Sequence, residues 1–202
     1  MRFTTLLSVI SAGLGAALAT PRTLRVTGVS VLGSGCPYGS ADVKVDASHT
    51  ALDIRLSEFV VRSGPNTMAA DWRKNCKLTL NLEYDAGFQF STLSTSVRGF
   101  AYIPSGAQGQ CQNTIDFTGA VDSQAKYAVT LGGGHDGPFS LLANPDVVMW
   151  SPCGGSTAIL DMNTQCWVSP TDKKAVIDVR PWLVDRTSSK LTVRVALDWR
   201  KC

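Results

Sequence analysis

The chain has 202 residues, of which 44% are hydrophobic and 17% charged, and its formal net charge is +3. That length suits one domain with a sizeable core. The near-neutral, well-mixed charge gives no footing to nucleic-acid or anionic-lipid binding by bulk electrostatics, so neither partner is expected.

The first expected element is a secretory leader over residues 1–19. Arg2 supplies a positive start, an apolar stretch runs from Leu6 to Leu18, and Ala17-Leu18-Ala19 puts small residues where a signal peptidase reads. The apolar run is too short to span a membrane. Cleavage after Ala19 leaves residues 20–202 as the mature chain, and the net charge drops to +2 because Arg2 departs. No later window approaches the roughly 20 apolar residues of a membrane-spanning helix. The closing Trp199-Arg200-Lys201-Cys202 is not a lipid-anchor tail, and no Asn-x-Ser/Thr glycan acceptor occurs. The expectation is a released monomer, extracellular or associated with a cell wall, with no membrane insertion.

Past the leader the apolar period is two almost everywhere. Leu78, Leu80, Leu82 and Tyr84 alternate with Thr79, Asn81 and Glu83 across 76–84. Leu191, Val193, Val195, Leu197 and Trp199 do the same across 191–199. Such alternation marks half-buried strands. Further strands are expected at 23–32, 41–47, 50–61, 87–103, 114–119, 125–131, 157–162 and 174–180, with a break near Gly99. Gly33-Ser34-Gly35-Cys36-Pro37, Gly64-Pro65-Asn66, Asp85-Ala86-Gly87 and Pro104-Ser105-Gly106 read as turns. At most one helical turn fits, within 66–75. The fold class is therefore all-β, a two-sheet antiparallel β-sandwich in a single domain over 20–202; a partly closed β-barrel is the alternative.

Six cysteines follow the leader: Cys36, Cys76, Cys111, Cys153, Cys166 and Cys202. An even number in an oxidising compartment pairs into disulfides. No two stand close enough for a zinc knuckle or a Cys-x-x-Cys redox motif. Fifteen connectivities are open at this point.

No catalytic constellation emerges, and no catalytic residue is assigned. A Gly-x-Ser-x-Gly elbow is absent. The two histidines are His49, in a turn-like Ala47-Ser48-His49-Thr50, and His135, beside Asp136 in the glycine-rich 132–138. A histidine next to an aspartate in a mobile loop can bind a ligand or move a proton. The plainer reading, and the favoured one, is an exposed loop tip whose glycines satisfy a turn. Glu58 and Glu83 are the only glutamates, and nothing in their spacing joins them as a glycosidase pair. Copper-dependent polysaccharide oxygenation needs a histidine at the mature N-terminus, where this chain has Thr20-Pro21. Two histidines and no Asp-x-Asp-x-Asp-Gly loop leave no metal site or cofactor to expect. The tryptophans remain. Trp199 alternates with core residues. Trp72, beside Arg73, and Trp182, after Arg180-Pro181, sit in loop-like surroundings where an aromatic ring can stack on a sugar or anchor a partner. The candidate ligand-binding residues are Trp72, Arg73, Trp182, His135 and Asp136.

Several local patterns, in order, resemble a known family. They are Gly35-Cys36-Pro37 with Gly39-Ser40; Arg73-Lys74-Asn75-Cys76-Lys77-Leu78 with Gly87-Phe88; Arg98-Gly99-Phe100-Ala101; Ser151-Pro152-Cys153-Gly154; and Leu197-Asp198-Trp199-Arg200-Lys201-Cys202. This ordered set is similar to the domain of unknown function family 4360, common among secreted fungal proteins. The resemblance implies a secreted all-β domain of fungal source and carries no catalytic residues. Cys36, Cys76, Cys153 and Cys202 match the family's usual positions, whereas Cys111 and Cys166 look like additions. On this resemblance Cys111 is paired with Cys166, and the full expectation is Cys36–Cys76, Cys111–Cys166 and Cys153–Cys202. The functional expectation is a non-enzymatic, effector-like binding protein whose partner is an extracellular glycan or protein. The alternatives are an extracellular hydrolase or lyase on polysaccharide and a structural wall protein.

Overall fold

A computed structural model describes residues 20–119, 124–178 and 191–202. The expected leader, residues 1–19, and Trp182 lie outside the described residues. The strands are β1 (Leu24–Leu32), β2 (Ala41–Val45), β3 (Ala51–Leu56), β4 (Val61–Arg62), β5 (Arg73–Tyr84), β6 (Phe88–Ile103), β7 (Gln108–Phe117), β8 (Ala125–Leu131), β9 (His135–Ala143), β10 (Thr157–Ser169), β11 (Val176–Asp178) and β12 (Leu191–Lys201). A single helical turn, α1 (Ala69–Trp72), precedes β5.

The strands form two antiparallel sheets that do not close into a barrel. A five-stranded sheet runs β1-β5-β10-β7-β8; a seven-stranded one runs β2-β3-β12-β6-β11-β4, with β9 alongside β6. The expected sandwich is the fold. Its logic is visible in β10, where Ala158, Leu160, Met162, Thr164, Cys166 and Val168 are buried while Ile159, Asp161, Asn163, Gln165 and Trp167 face outward. Side chains alternate across a pleated strand, so each sheet commits one set to the core.

One continuous apolar core lies between the sheets. Tyr84, Phe90, Phe117 and Trp199 meet edge-on or tilted in it, with ring centroids 4.9–5.7 Å apart. The Trp199 indole N–H donates to the carbonyl of His49 at 2.7 Å. That contact places Trp199 in the packing, and His49 takes up the turn conformation at φ 58° that presents its carbonyl. Polar groups also bridge the sheets. Asn113 on β7 donates to Thr95 of β6 at 3.2 Å and accepts from Thr164 of β10 at 2.8 Å, and all three are fully buried. The Tyr127 hydroxyl of β8 donates to the Thr92 carbonyl of β6 at 2.6 Å.

The three disulfides pair as expected: Cys36–Cys76, Cys111–Cys166 and Cys153–Cys202. Cys111 and Cys166 face each other across the β7–β10 ladder, with Cα atoms 4.1 Å apart. Cys36–Cys76 needs the preceding turn to lie against β5. Gly33 permits this, since a Cβ there would fall 2.2 Å from the Asn75 carbonyl oxygen. Gly35 N–H then donates to that same oxygen at 2.8 Å.

Several strand limits differ from the sequence reading. The 50–61 run splits into β3 and β4, because Phe59 turns into the core between them. β6 continues through Gly99, where Leu191 and Phe139 come so close that a Cβ would meet them at 3.0–3.1 Å. β7 starts at Gln108 and β10 runs to Ser169, past the expected 114 and 162; their inward positions include Gly109, Asn113 and Thr164, which mask the apolar face. The expected loop at 132–138 gives way to β9 from His135. Pro138 is tolerated because, among the described residues, β9 pairs only with β6 and is an edge strand.

Candidate functional site

The outer face of the five-stranded sheet is a polar grid built by strand register. Antiparallel pairing aligns outward residues of β5, β10 and β7 into cross-strand rows: Arg73–Trp167–Gln110, Asn75–Gln165–Gln112, Lys77–Asn163–Thr114 and Thr79–Asp161–Asp116. With strands ~4.8 Å apart and a rise of ~3.3 Å per residue, these rows cover about 10 Å by 20 Å. Such a strip has the length of several sugar rings and no deep enclosure. Its side chains are held by the sheet, so their positions are set before any ligand arrives.

At one end the Arg73 guanidinium lies 5.8 Å from the centroid of the half-buried Trp167 ring. A cation beside an aromatic face orients both. The middle rows present amides. Asn75 donates to the Asn163 side-chain oxygen at 3.4 Å and accepts from the Ser34 hydroxyl at 3.3 Å. At the far end Asp161 and Asp116 are directly opposed. Asp161 accepts from the hydroxyls of Thr79, at 2.5 Å, and Thr118, at 3.2 Å, with the Lys77 ammonium 3.9 Å away. Asp116 accepts from the Gln124 amide at 3.4 Å. Lys77, Thr114, Asp116, Asp161 and Asn163 line a shallow depression. Amides offer donors and acceptors together, and carboxylates accept only. That mixture matches the paired donors and acceptors of vicinal hydroxyl groups.

The residues singled out in the sequence fall in different places. Arg73 is in the grid. Trp72, its neighbour, is half-buried in α1, and its indole N–H donates to the Thr67 hydroxyl at 2.8 Å. His135 and Asp136 open β9 of the other sheet, opposite Ile103 and Tyr102. His135 shares a hydrogen bond with the Gly137 carbonyl at 3.1 Å and borders a groove with the 132–134 glycines. It lies at the same end of the sandwich as Arg73, but no hydrogen bond, ion pair or ring contact joins them among the described residues. Trp182 lies outside the described residues. Glu58 and Glu83 are far apart. Glu58 adjoins Phe59, which packs beside Lys74 at the start of β5, and Glu83 sits nine residues farther along that strand, about 30 Å away.

Sequence reasoning missed Trp167 and the grid. The signal was present in 157–169, where Asp161, Asn163, Gln165 and Trp167 alternate with buried residues. What it lacked was register, which alone shows that the polar sides of β5 and β7 adjoin that of β10.

A family model described as Domain of unknown function (DUF4360) matches residues 22–202. An "Uncharacterized secreted protein" of Arthroderma benhamiae is 33% identical over 184 residues, covering 90% of this chain and 73% of the relative. Among solved structures, TmCBM61 in complex with beta-1,4-galactotriose covers 88% of this chain and 90% of its own, at 9% identity and a TM-score of 0.30. A family 11 carbohydrate-binding module from Clostridium thermocellum, in complex with a mixed-linked tetrasaccharide, covers 86% of this chain and 88% of its own, at 8% identity and 0.24. Likeness at that level carries no argument about what this chain binds. The secreted relative and the three disulfides together place the protein outside the cell.

Proposed function

The chain belongs to the DUF4360 family, and we propose that it is a non-enzymatic extracellular protein that binds a polysaccharide of a cell wall or host surface. The binding surface is the outer face of the five-stranded sheet. The carrying observation is the alignment of Trp167 and Arg73 with rows of amides and carboxylates on one rigid, open strip. A sugar ring stacks on Trp167, and the hydroxyls of the following rings exchange hydrogen bonds with Gln165, Gln112, Asn163 and Asp116. The strip's openness favours a chain over a small free ligand.

Pull-down on insoluble polysaccharides, followed by titration calorimetry with soluble oligomers, tests this. Binding that disappears in Trp167→Ala, with the melting temperature kept, supports the reading. Absence of binding across neutral and acidic polysaccharides sinks it.

A hydrolytic reading has one observation in its favour, the opposed carboxylates of Asp116 and Asp161. Against it, Thr79 and Thr118 already occupy both oxygens of Asp161. Release of reducing ends from a bound polymer, lost in Asp116→Asn, would establish hydrolysis instead of binding.

A further inference from the structure

The opposite face of the sandwich carries a second, chemically different cluster. On the outer side of the seven-stranded sheet, register aligns Arg55 of β3, Thr192 of β12 and Arg98 of β6 in one row. The next row holds Asp53, Arg194 and Ser96. Asp53, Arg55, Arg98, Thr192 and Arg194 together line a concavity of ≈ 510 Å³.

The arginines of this cluster are not equivalent. Arg194 is fully engaged: its Nη1 donates to both Asp53 oxygens at 2.9 and 2.8 Å, and its Nη2 donates to Asp46 at 3.0 Å. Those two carboxylates are thereby committed to Arg194. Asp42 stands opposite Arg55 on β2, and its carboxylate lies 3.7 Å from the Lys44 ammonium. Arg55 and Arg98 have no ion-pair partner among the described residues. Two exposed guanidiniums thus flank one row, with Cα atoms two strand spacings, about 10 Å, apart. Like charges held this close repel each other, and an anion between or along them removes the repulsion.

The surroundings narrow the class of anion. Phe100 and Tyr102 take the next two outward positions after Arg98 on β6, and Tyr102 is 39% exposed. A sugar ring lies on such faces, whereas an inorganic ion does not use them. The planar guanidinium fork matches a carboxylate in a bidentate way. We infer that this face is a second binding site, for a carboxylate-bearing, uronic-acid saccharide, with Arg55 and Arg98 taking the carboxylates and Phe100 and Tyr102 the ring faces. The site shares no residue with the amide grid and stands whether or not the grid binds sugar.

The test measures binding of polygalacturonate oligomers, their methyl-esterified form and dextran sulfate to the full mature chain. The expected result is binding to the carboxylate form at low salt, loss on esterification, and weaker binding of dextran sulfate. Affinity falls at least tenfold in Arg55→Gln/Arg98→Gln and is unchanged in Arg25→Gln, an exposed arginine of β1 that belongs to neither face's cluster. Arg98→Lys, which keeps the charge and loses the fork, lowers it as well and covers the case in which the double variant misfolds. Failure of polygalacturonate to bind, equal binding of the esterified form, equal or tighter binding of dextran sulfate, or full affinity in the arginine variants overturns the inference.

Discussion

Asp116 and Asp161 face each other across the β7–β10 ladder with both carboxylates on the solvent side of the sheet. Like charges in directly opposed positions destabilise a sheet, and among the described residues only Asp161 has a cation, Lys77, within 4 Å. Asp116→Asn is therefore expected to raise stability by about 0.2–1 kcal/mol while weakening polysaccharide binding severalfold. Thermal melting and calorimetry on the same samples decide it. A lower melting temperature with unchanged binding would make the pair purely architectural.

The two tryptophans near the grid are both half-buried and separate by position and bonding, Trp167 on the outer face of β10 and Trp72 in α1. Trp167→Ala removes the half-buried ring beside Arg73 on the outer face of β10 and is expected to cost roughly tenfold or more in affinity with little change in melting temperature. Trp72→Phe removes one hydrogen bond, to Thr67, and is expected to cost about 0.5–1.5 kcal/mol of stability without altering affinity. A reversed pattern, with affinity following Trp72, would shift the site to the α1 rim.

Asn113 is the hub of a buried polar link between the sheets. Asn113→Ala leaves the hydroxyls of Thr95 and Thr164 without their partner in the core and is expected to destabilise by on the order of 2–4 kcal/mol. The triple change Thr95→Val, Asn113→Leu, Thr164→Val removes all three polar groups and is expected to recover much of that loss. Denaturant titration reads both. A triple variant no better than Asn113→Ala would mean that shape, rather than unpaired polarity, sets the cost.

Acid stability should depend on Asp46. Burial pulls its carboxyl upward, but hydrogen bonds from the Ser48 hydroxyl and the Ala51 and Thr50 N–H groups, with the Arg194 charge, outweigh that and hold it below the usual carboxylate range. A group lowered by folding contributes its stability in full above the unfolded value and loses it as pH falls through the folded one. Melting temperatures followed downward from about pH 5 should therefore drop less steeply, below about pH 4, in Asp46→Asn than in the parent. Parallel curves would remove Asp46 from acid unfolding.

The architecture was readable because a half-buried strand writes its burial into alternate residues. β5, β8 and β12 carry that pattern plainly and were found within three residues of their limits. β9 was missed, since its glycines and Pro138 spell a turn and only the open edge of β6 makes it a strand. At the candidate site the sequence reading offered Arg73 beside Trp72, but Trp72 belongs to α1, and the ring in the grid is Trp167, 95 residues after Trp72.

From the amino-acid order alone come the even cysteine count, the alternation that commits the chain to layered strands, and the absence of any helical period. These are local or compositional properties, and each residue carries its share wherever the chain leads. The tertiary structure decided which strands adjoin and in what register. Shifting β10 by one residue against β5 would send Trp167, Gln165 and Asp161 into the core. The grid, the pairing of Arg55 with Arg98 across β12 and the buried Asn113 link are all relations between distant strands, so they exist only once hydrogen-bonded pairing has brought those strands together.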